Sequence, residues 1–274
     1  MSSEKGYNIL KRAIDRDNIS CYNARTRINQ RVNRRLSRQD IELISRRLLS
    51  EYLKKQITRI DKIDPVDFAE KMCGLRFTFA DISVTGAVLG FTASMDVKVT
   101  ISRRDGTQDD FVLDGKTAYI DRSLAAEGQT GRLNFTMMHE ASHLLYARLF
   151  PSEYNGWQRR CVCRLADECI RYPVHDWEEW QANVLTSYLL LPRELVFRHL
   201  ENVGLPQGIK WLNRVYAPKD YHRFSEAARR LGVSKTALAI RLSQMGLIEK
   251  NEFFDPYSTI LVFPDKNEID SEIA

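Results

Sequence analysis

Residues 135–150 read FTMMHEASHLLYARLF and place His139 and His143 four positions apart in a strongly apolar segment. On a helix, positions i and i+4 share a face, so both imidazoles can reach one cation. Glu140 follows the first histidine, about 100° further around the helix. Its carboxylate can therefore accept a proton from a metal-bound water without binding the metal. This H-E-x-x-H pattern is typical of zinc peptidases; two surface histidines on an ordinary helix are the alternative.

A third ligand is expected in residues 176–183, DWEEWQAN, which open a second helix. Glu179 and Asn183 share one face at i and i+4 spacing. A glutamate can complete the ligand set, and Asn183 can orient a ligand histidine through its other ring nitrogen. Two alternatives stay open at this point. Asp176 and Glu179 also fit a helix capping box, and Glu178 is a rival ligand.

Both segments resemble the signatures of the ImmA/IrrE family of metallopeptidases: RLNFTMMHEASH at 132–143, and EWQAN at 179–183 followed by LLP at 190–192. The resemblance covers roughly residues 38–245. It implies a zincin-like helix core and a zinc-dependent endopeptidase, with manganese as the alternative metal. It also implies that Glu179 is the third ligand and that the substrate is a helix-turn-helix transcriptional repressor. The chain departs from the family at Ser142, usually Gly, and at Leu191, commonly Met.

The rest of the chain predicts an α+β fold. Residues 75–121 contain five short β-branched or alternating segments separated by Gly and Asp turns, with hairpins expected at Asp105-Gly106 and Asp114-Gly115. Residues 130–250 have a helical pattern. We therefore predict a small antiparallel sheet followed by helices.

We predict four parts along the chain: a basic N-terminal arm at 1–36, the zincin-like metallopeptidase domain at 37–215, a helix-turn-helix-like unit at 216–250 and a tail at 251–274. Ser37 and Asp40 form a capping box that begins a helix in the second part. Asp64 caps another helix, with Pro65 in its first turn.

The helix-turn-helix-like unit reads FSEAARRLGVSKTALAIRLSQMGLI, with Gly232-Val233-Ser234 as the turn and Ser234 as the cap of the next helix. If the unit binds DNA, Lys235, Thr236 and Arg241 face a groove. The alternative, favoured by the few basic residues and by the family resemblance, is a packing unit of the peptidase.

Residues 117–121, TAYID, are the last strand before the metal helix. We expect this strand to be an exposed edge along the active cleft, with Tyr119 and Ile120 binding an extended substrate. An interior strand paired on both sides is the alternative.

Five cysteines and a polar, basic start favour a cytoplasmic protein with free thiols and no membrane partner. Cys161, Cys163 and Cys169, with His175, suggest either a second zinc site or buried thiols.

Residues 1–60 carry fifteen Lys/Arg and six Asp/Glu, which indicates either an acidic partner such as nucleic acid or a solvated helix face. Three functions therefore remain: an endopeptidase, a non-catalytic regulator with a structural metal, and a DNA-binding protein. The residue that stabilises the oxyanion is not determined among Tyr146, His175, His199 and His222.

Overall fold

The computed structural model describes residues 36–54, 60–82, 88–94, 96–102, 107–151 and 177–257. Within them the chain is mixed α/β. The α-helices are α1 (Arg38–Leu53), α2 (Pro65–Cys73), α3 (Thr130–Leu149), α4 (Trp177–Leu190), α5 (Arg193–Asn202), α6 (Pro218–Leu231) and α7 (Lys235–Gln244). The strands are β1 (Arg76–Ala80), β2 (Gly90–Phe91), β3 (Asp96–Ser102), β4 (Gln108–Asp114), β5 (Thr117–Asp121), β6 (Ile209–Leu212) and β7 (Ile248–Asn251). No helix in the described part is both long and apolar enough to cross a membrane.

Side-chain caps begin the helices where the sequence predicts them. The Ser37 hydroxyl accepts from the backbone N–H of Asp40, whose carboxylate accepts from the N–H of Ser37, so the predicted capping box is confirmed. Asp64 caps α2, with Pro65 in the first turn. Both caps satisfy backbone donors that a helix start otherwise leaves without partners.

The sheet that packs beside α3 contains both parallel and antiparallel pairs, so the prediction of an antiparallel sheet is wrong for this sheet. Its strand order is β1-β5-β2. β5 pairs in parallel with β1 from Arg76–Thr117 to Ala80–Asp121, and antiparallel with β2. A parallel pair needs a long crossover, here supplied by the chain between β1 and β5. Periodicity within each strand carries no information on this pairing.

β3 and β4 form a separate antiparallel hairpin. Its turn at Asp105-Gly106 lies outside the described residues. Asp114-Gly115 is not a hairpin turn, contrary to the prediction, because β4 pairs with β3 whereas β5 joins the other sheet. Gly115 has a φ of 65°, and Asp114 accepts hydrogen bonds from the N–H groups of Lys116 and Thr117, which turns the chain between the two sheets.

β6 and β7 form a short parallel pair that the prediction of continuous helix after residue 130 missed. A buried polar cluster lies beside it. The Glu252 carboxylate accepts hydrogen bonds from Trp211 Nε1 at 2.6 Å and Asn213 Nδ2 at 2.7 Å. Residues just past position 250 therefore pack against β6.

One hydrophobic cluster runs from Leu36 through α1, α2, α3, α4 and α5 to Leu242 in α7. It contains residues of both the predicted peptidase domain and the helix-turn-helix-like unit. The predicted basic arm, apart from its last residue, lies outside the described residues. Leu36 is buried, and its N–H donates to Gln181 Oε1 at 3.0 Å.

The turn between α6 and α7 packs directly on the first turn of α3. A Cβ atom at Gly131 would clash with the backbone nitrogen of Ser234, so only a glycine fits this contact. Asn134 Nδ2 donates to the carbonyl of Gly232 at 2.8 Å. Ser234 caps α7 by accepting from the N–H of Ala237, as predicted. The helix that carries both histidines is thus joined backbone to backbone with the C-terminal helix pair.

Candidate metal centre

Two packed helices, α3 and α4, bring the predicted ligands together. The apolar face of α3 is buried, which places His139 and His143 toward α4. Glu179 lies in the first turn of α4. Within the described residues, the group of side chains able to hold a metal ion is His139, His143 and Glu179, whose ligand atoms all lie within 4.8 Å of one another. The structure therefore brings Glu179, rather than Glu178, to the histidine pair.

The three side chains converge through their terminal atoms. The Nε2 atoms of His139 and His143 are 2.9 Å apart. Glu179 places Oε2 at 3.2 Å from Nε2 of His139 and Oε1 at 3.4 Å from Nε2 of His143. In a tetrahedral zinc site with bonds of about 2.1 Å, neighbouring ligand atoms lie about 3.4 Å apart. This donor set and its spacing therefore suit a small divalent cation.

The charges in the centre are strongly coupled. Burial alone would raise the pKa of Glu179, but hydrogen bonds from His139 and His143 outweigh burial, and its pKa lies well below the usual range. Burial alone would lower the pKa of His139, but the hydrogen bond to Glu179 and the charge of Glu140 raise it. A divalent cation bound by these atoms would displace any proton shared between them.

Glu140 lies beside the centre and is buried, with 4% of its surface exposed. Burial raises the pKa of its carboxyl to about 7, against the opposing effect of His139. A Cβ atom at Gly90 would lie 3.1 Å from Oε1 of Glu140 and 3.0 Å from Cγ2 of Thr136. The missing side chain of Gly90 thus leaves room for this carboxylate between β2 and α3. A carboxyl that titrates near neutrality is suited to accept and return a proton.

Asn183 also reaches the centre, with its side chain hydrogen-bonded to His139. The prediction that Asn183 orients a ligand histidine through its second ring nitrogen is wrong for His139. His139 Nδ1 is buried and has no hydrogen-bond partner within the described ranges. Asn183 therefore contacts the ligand without holding its ring through Nδ1.

Ser142 and Tyr146 tie α3 to α4. The buried Ser142 hydroxyl donates to the carbonyl of Met138 at 2.8 Å and lies 3.0 Å from Oγ1 of Thr186. This contact accommodates a serine where the resembled family usually has glycine. The Tyr146 hydroxyl donates to the carbonyl of Gln181 at 3.3 Å. Tyr146 is fully buried and acts as a link between helices, so it is not placed as an oxyanion donor.

The prediction for residues 117–121 is wrong. β5 is the central strand of its sheet and is paired on both sides. Ile120 is completely buried, and the Tyr119 ring stacks on Phe91 at 5.3 Å. The main-chain groups of β5 are engaged with β1 and β2, so they are not free to pair with an extended substrate. Ile120 packs in the interior, and Tyr119 is half-buried. The strand that approaches Glu140 is β2, which lies within one of the five predicted strand segments but was not predicted to reach the site.

The remaining candidates do not lie at the centre or are not described. His199 is buried, with Nε2 2.6 Å from the carbonyl oxygen of Asp61, and His222 is exposed on α6. Arg241, proposed to face a DNA groove, is only 4% exposed and donates from Nε to the carbonyl of Leu191 at 3.1 Å. It is therefore not available to DNA. The alternatives that involve Asp176, His175, Cys161, Cys163 and Cys169 lie outside the described residues.

No protein-family model matches this chain, and no curated protein is significantly similar to it.

Proposed function

We propose that this chain is a metal-dependent endopeptidase of the ImmA/IrrE type, with His139, His143 and Glu179 as ligands of Zn²⁺ and Glu140 as the general base. The observation that carries the proposal is the convergence of the three ligand atoms within 4.8 Å beside a buried glutamate that is not one of them. A purely structural metal has no need of that fourth side chain.

A bound zinc ion would supply a Lewis acid for the peptide carbonyl and a lowered pKa for the attacking water. The chain's own contribution is proton transfer. Glu140 accepts the proton of the water at a carboxylate oxygen and delivers it to the leaving amine. Its pKa of about 7 suits both steps, because a general base works best when its pKa is close to the working pH.

The substrate is proposed to lie along β2 instead of β5. β2 is one of the two edge strands of the three-stranded sheet within the described residues, and its Gly90 adjoins Glu140. An extended peptide can add to such an edge through main-chain hydrogen bonds. The scissile bond of that peptide would then lie beside the carboxylate of Glu140.

The substrate class rests on the resemblance alone. The segments at 132–143 and 179–192 are similar to those of peptidases that cleave helix-turn-helix repressors, and we propose a repressor of this kind as substrate in the cytoplasm. The alternative is a non-catalytic regulator that binds DNA or a repressor. Burial of Arg241 weighs against DNA binding, and Lys235 lies over the ring of Tyr221 at 5.3 Å.

Replacement of Glu140 by glutamine tests the proposal. The amide has nearly the same shape but cannot accept the proton, so cleavage should fall about 10²- to 10⁴-fold while the metal stays bound. Zinc-loaded protein and the Glu140→Gln variant are each incubated with a library of unstructured peptides, and products are identified by mass spectrometry. Glu249→Gln, at an exposed position, is the matched control.

Equal cleavage by wild-type protein and Glu140→Gln would show that Glu140 is not the base. Absence of metal-dependent cleavage in the wild-type protein, both on the library and on helix-turn-helix repressors, would favour the non-catalytic regulator.

A further inference from the structure

A second cleft lies apart from the metal centre, between α1, the end of α4, α5 and α7. Its volume is about 570 Å³, and none of its lining residues belongs to α3. Buried side chains of Ser45, Leu49, Ile63 and Leu195 form its floor, and Leu53 lies at its rim. Small-molecule sites typically have volumes of about 300–1,000 Å³ and largely apolar walls. The cleft is therefore of a size and character to hold a small ligand.

Arginines dominate the charge of this cleft. The lining contains four of them and two glutamates: Arg46, Arg193, Arg198, Arg241, Glu42 and Glu194. Glu42 is already paired with Arg46 at 2.9 Å. Glu194 is exposed. The apolar interior is thus bordered by an excess of positive charge.

Arg241 is the most deeply placed of these cations, with 4% of its surface exposed. Its Nε donates to the Leu191 carbonyl, and its guanidinium carbon lies 4.2 Å from the centre of the Tyr188 ring. Among the described residues no carboxylate lies within ion-pair distance of it; Glu42, which is paired with Arg46, acts on Arg241 only through its charge at longer range. Removing a cation from water is costly unless an anion compensates it.

Arg198 contributes an unsatisfied donor to the cleft. Its Nη2 donates to the carbonyl of Ile60, while its Nε is buried without a hydrogen-bond partner in the described part of the chain. Arg193 contributes a third guanidinium, whose charge acts on Arg241 and lowers the pKa of Arg241 together with burial, the larger cause. These three cations around one apolar space provide the donors that an anionic head group would satisfy.

We infer that the cleft binds a small amphipathic anion: a carboxylate held by Arg241, Arg198 and Arg193, with an unbranched aliphatic body along Leu49, Ile63 and Leu195. A medium-chain fatty acid has this chemistry. The site does not depend on the proposed peptidase activity.

Calorimetric titration of the full-length protein with decanoate, below its micelle concentration, tests this site. Decanol, of the same chain length but uncharged, is the comparison ligand. Decanoate should bind one per chain and at least about tenfold more tightly than decanol, because a hydrogen bond to a charged group contributes about 1.5–3 kcal/mol. The His139→Ala/His143→Ala variant should bind decanoate equally well, since the site is separate from the metal centre.

Variants locate the site. Arg241→Met should weaken decanoate binding at least about tenfold. Because Arg241 is buried and its replacement risks the fold, Leu53→Glu is the second variant: Leu53 is 39% exposed at the rim, and a carboxylate there repels the ligand. Leu43→Glu is its matched control, on the same helix, 44% exposed and outside the cleft.

Binding that falls in Leu53→Glu and is kept in Leu43→Glu supports the site. Absence of decanoate binding, equal affinity for decanol, full affinity in Leu53→Glu or loss in the histidine variant would each overturn it.

Discussion

The cluster around Asn213 and Glu252 and the centre around His139 and Glu179 both set a carboxylate among nitrogen-bearing side chains. In the cluster around Asn213 and Glu252, each donor faces an acceptor. Asn213 Nδ2 donates to Glu252 and to the carbonyl of Pro256, while its Oδ1 accepts from the N–H groups of Val215 and Tyr216. In the metal centre, the Nε2 atoms of His139 and His143 face each other at 2.9 Å, with the Glu179 carboxylate beside both.

The difference separates a structural cluster from a binding site. Where donors and acceptors alternate, the hydrogen bonds are satisfied within the protein and nothing further is needed. Where acceptor atoms converge on one point, a proton or a cation must occupy the space between them. The first cluster should therefore respond to mutation in stability alone, and the second in metal binding.

The largest effect is expected for the ligands. His139→Ala/His143→Ala should lose the single metal equivalent, because one carboxylate cannot hold a zinc ion tightly by itself. Elemental analysis after gel filtration measures this, with His222→Ala as control at an exposed position. Retention of a full equivalent by the double variant would rule out the ligand set.

The cluster around Asn213 and Glu252 should respond to mutation in stability and not in metal content. Glu252→Ala removes the acceptor of Trp211 and Asn213, and the free energy of unfolding should fall by about 2–4 kcal/mol. Chemical denaturation gives this value, with Glu249→Ala as control at an exposed position on β7, the strand that precedes Glu252. The metal content should not change, and a loss of metal here would erase the distinction between the two clusters.

Gly90→Ala probes the space around Glu140. The added methyl group would lie 3.0 Å from Thr136 and 3.1 Å from the Glu140 carboxylate, which must move. Misplacement of a catalytic group by about 1 Å can cost about 10²-fold, so cleavage by the metal-loaded protein should fall about ten- to a hundredfold. Metal content should stay at one equivalent. Unchanged cleavage would mean that the position of this carboxylate is not critical.

The smallest effect is expected at Ser142, close to the ligands but not among them. Ser142→Ala removes the contact with Thr186 between α3 and α4 and should cost about 1 kcal/mol in unfolding free energy. Ser142→Gly should cost about 1 kcal/mol more, because glycine weakens a helix interior. Urea denaturation of both variants separates the hydroxyl from the backbone effect. Equal stability of the Ser142→Ala and Ser142→Gly variants would contradict the expected backbone effect.

Local signals account for what the sequence predicted correctly. Capping residues such as Ser37 and Asp64 act within one helical turn, and the histidine pair acts at i, i+4 spacing. Spacing alone could not assign Glu179 as the third ligand, because its position also suits a helix cap. Only the packing of α3 against α4 brings its carboxylate to the histidines.

Strand pairing could not be predicted, because it depends on partners far apart in the chain. Arg76 pairs with Thr117, and Ile209 pairs with Ile248. β2, Gly90–Phe91, lies within a predicted strand segment, but its approach to Glu140 depends on how the sheet packs against α3. The prediction that Arg241 faces a DNA groove failed for a related reason. A guanidinium can be buried when a carbonyl accepts its hydrogen bond and an aromatic ring packs against it, and both partners are distant in the sequence.

The contact of Gly131 with the backbone of Val233 and Ser234 has a consequence for how this protein can be varied. A helix pair joined through side chains alone can be exchanged for another, as a cassette, when a few surface residues are adjusted. Here main chain meets main chain, so a replacement must reproduce the path of the turn as well as its side chains. An exchange of the C-terminal helices would therefore have to include the start of the helix that bears the histidines, because the two share this main-chain contact.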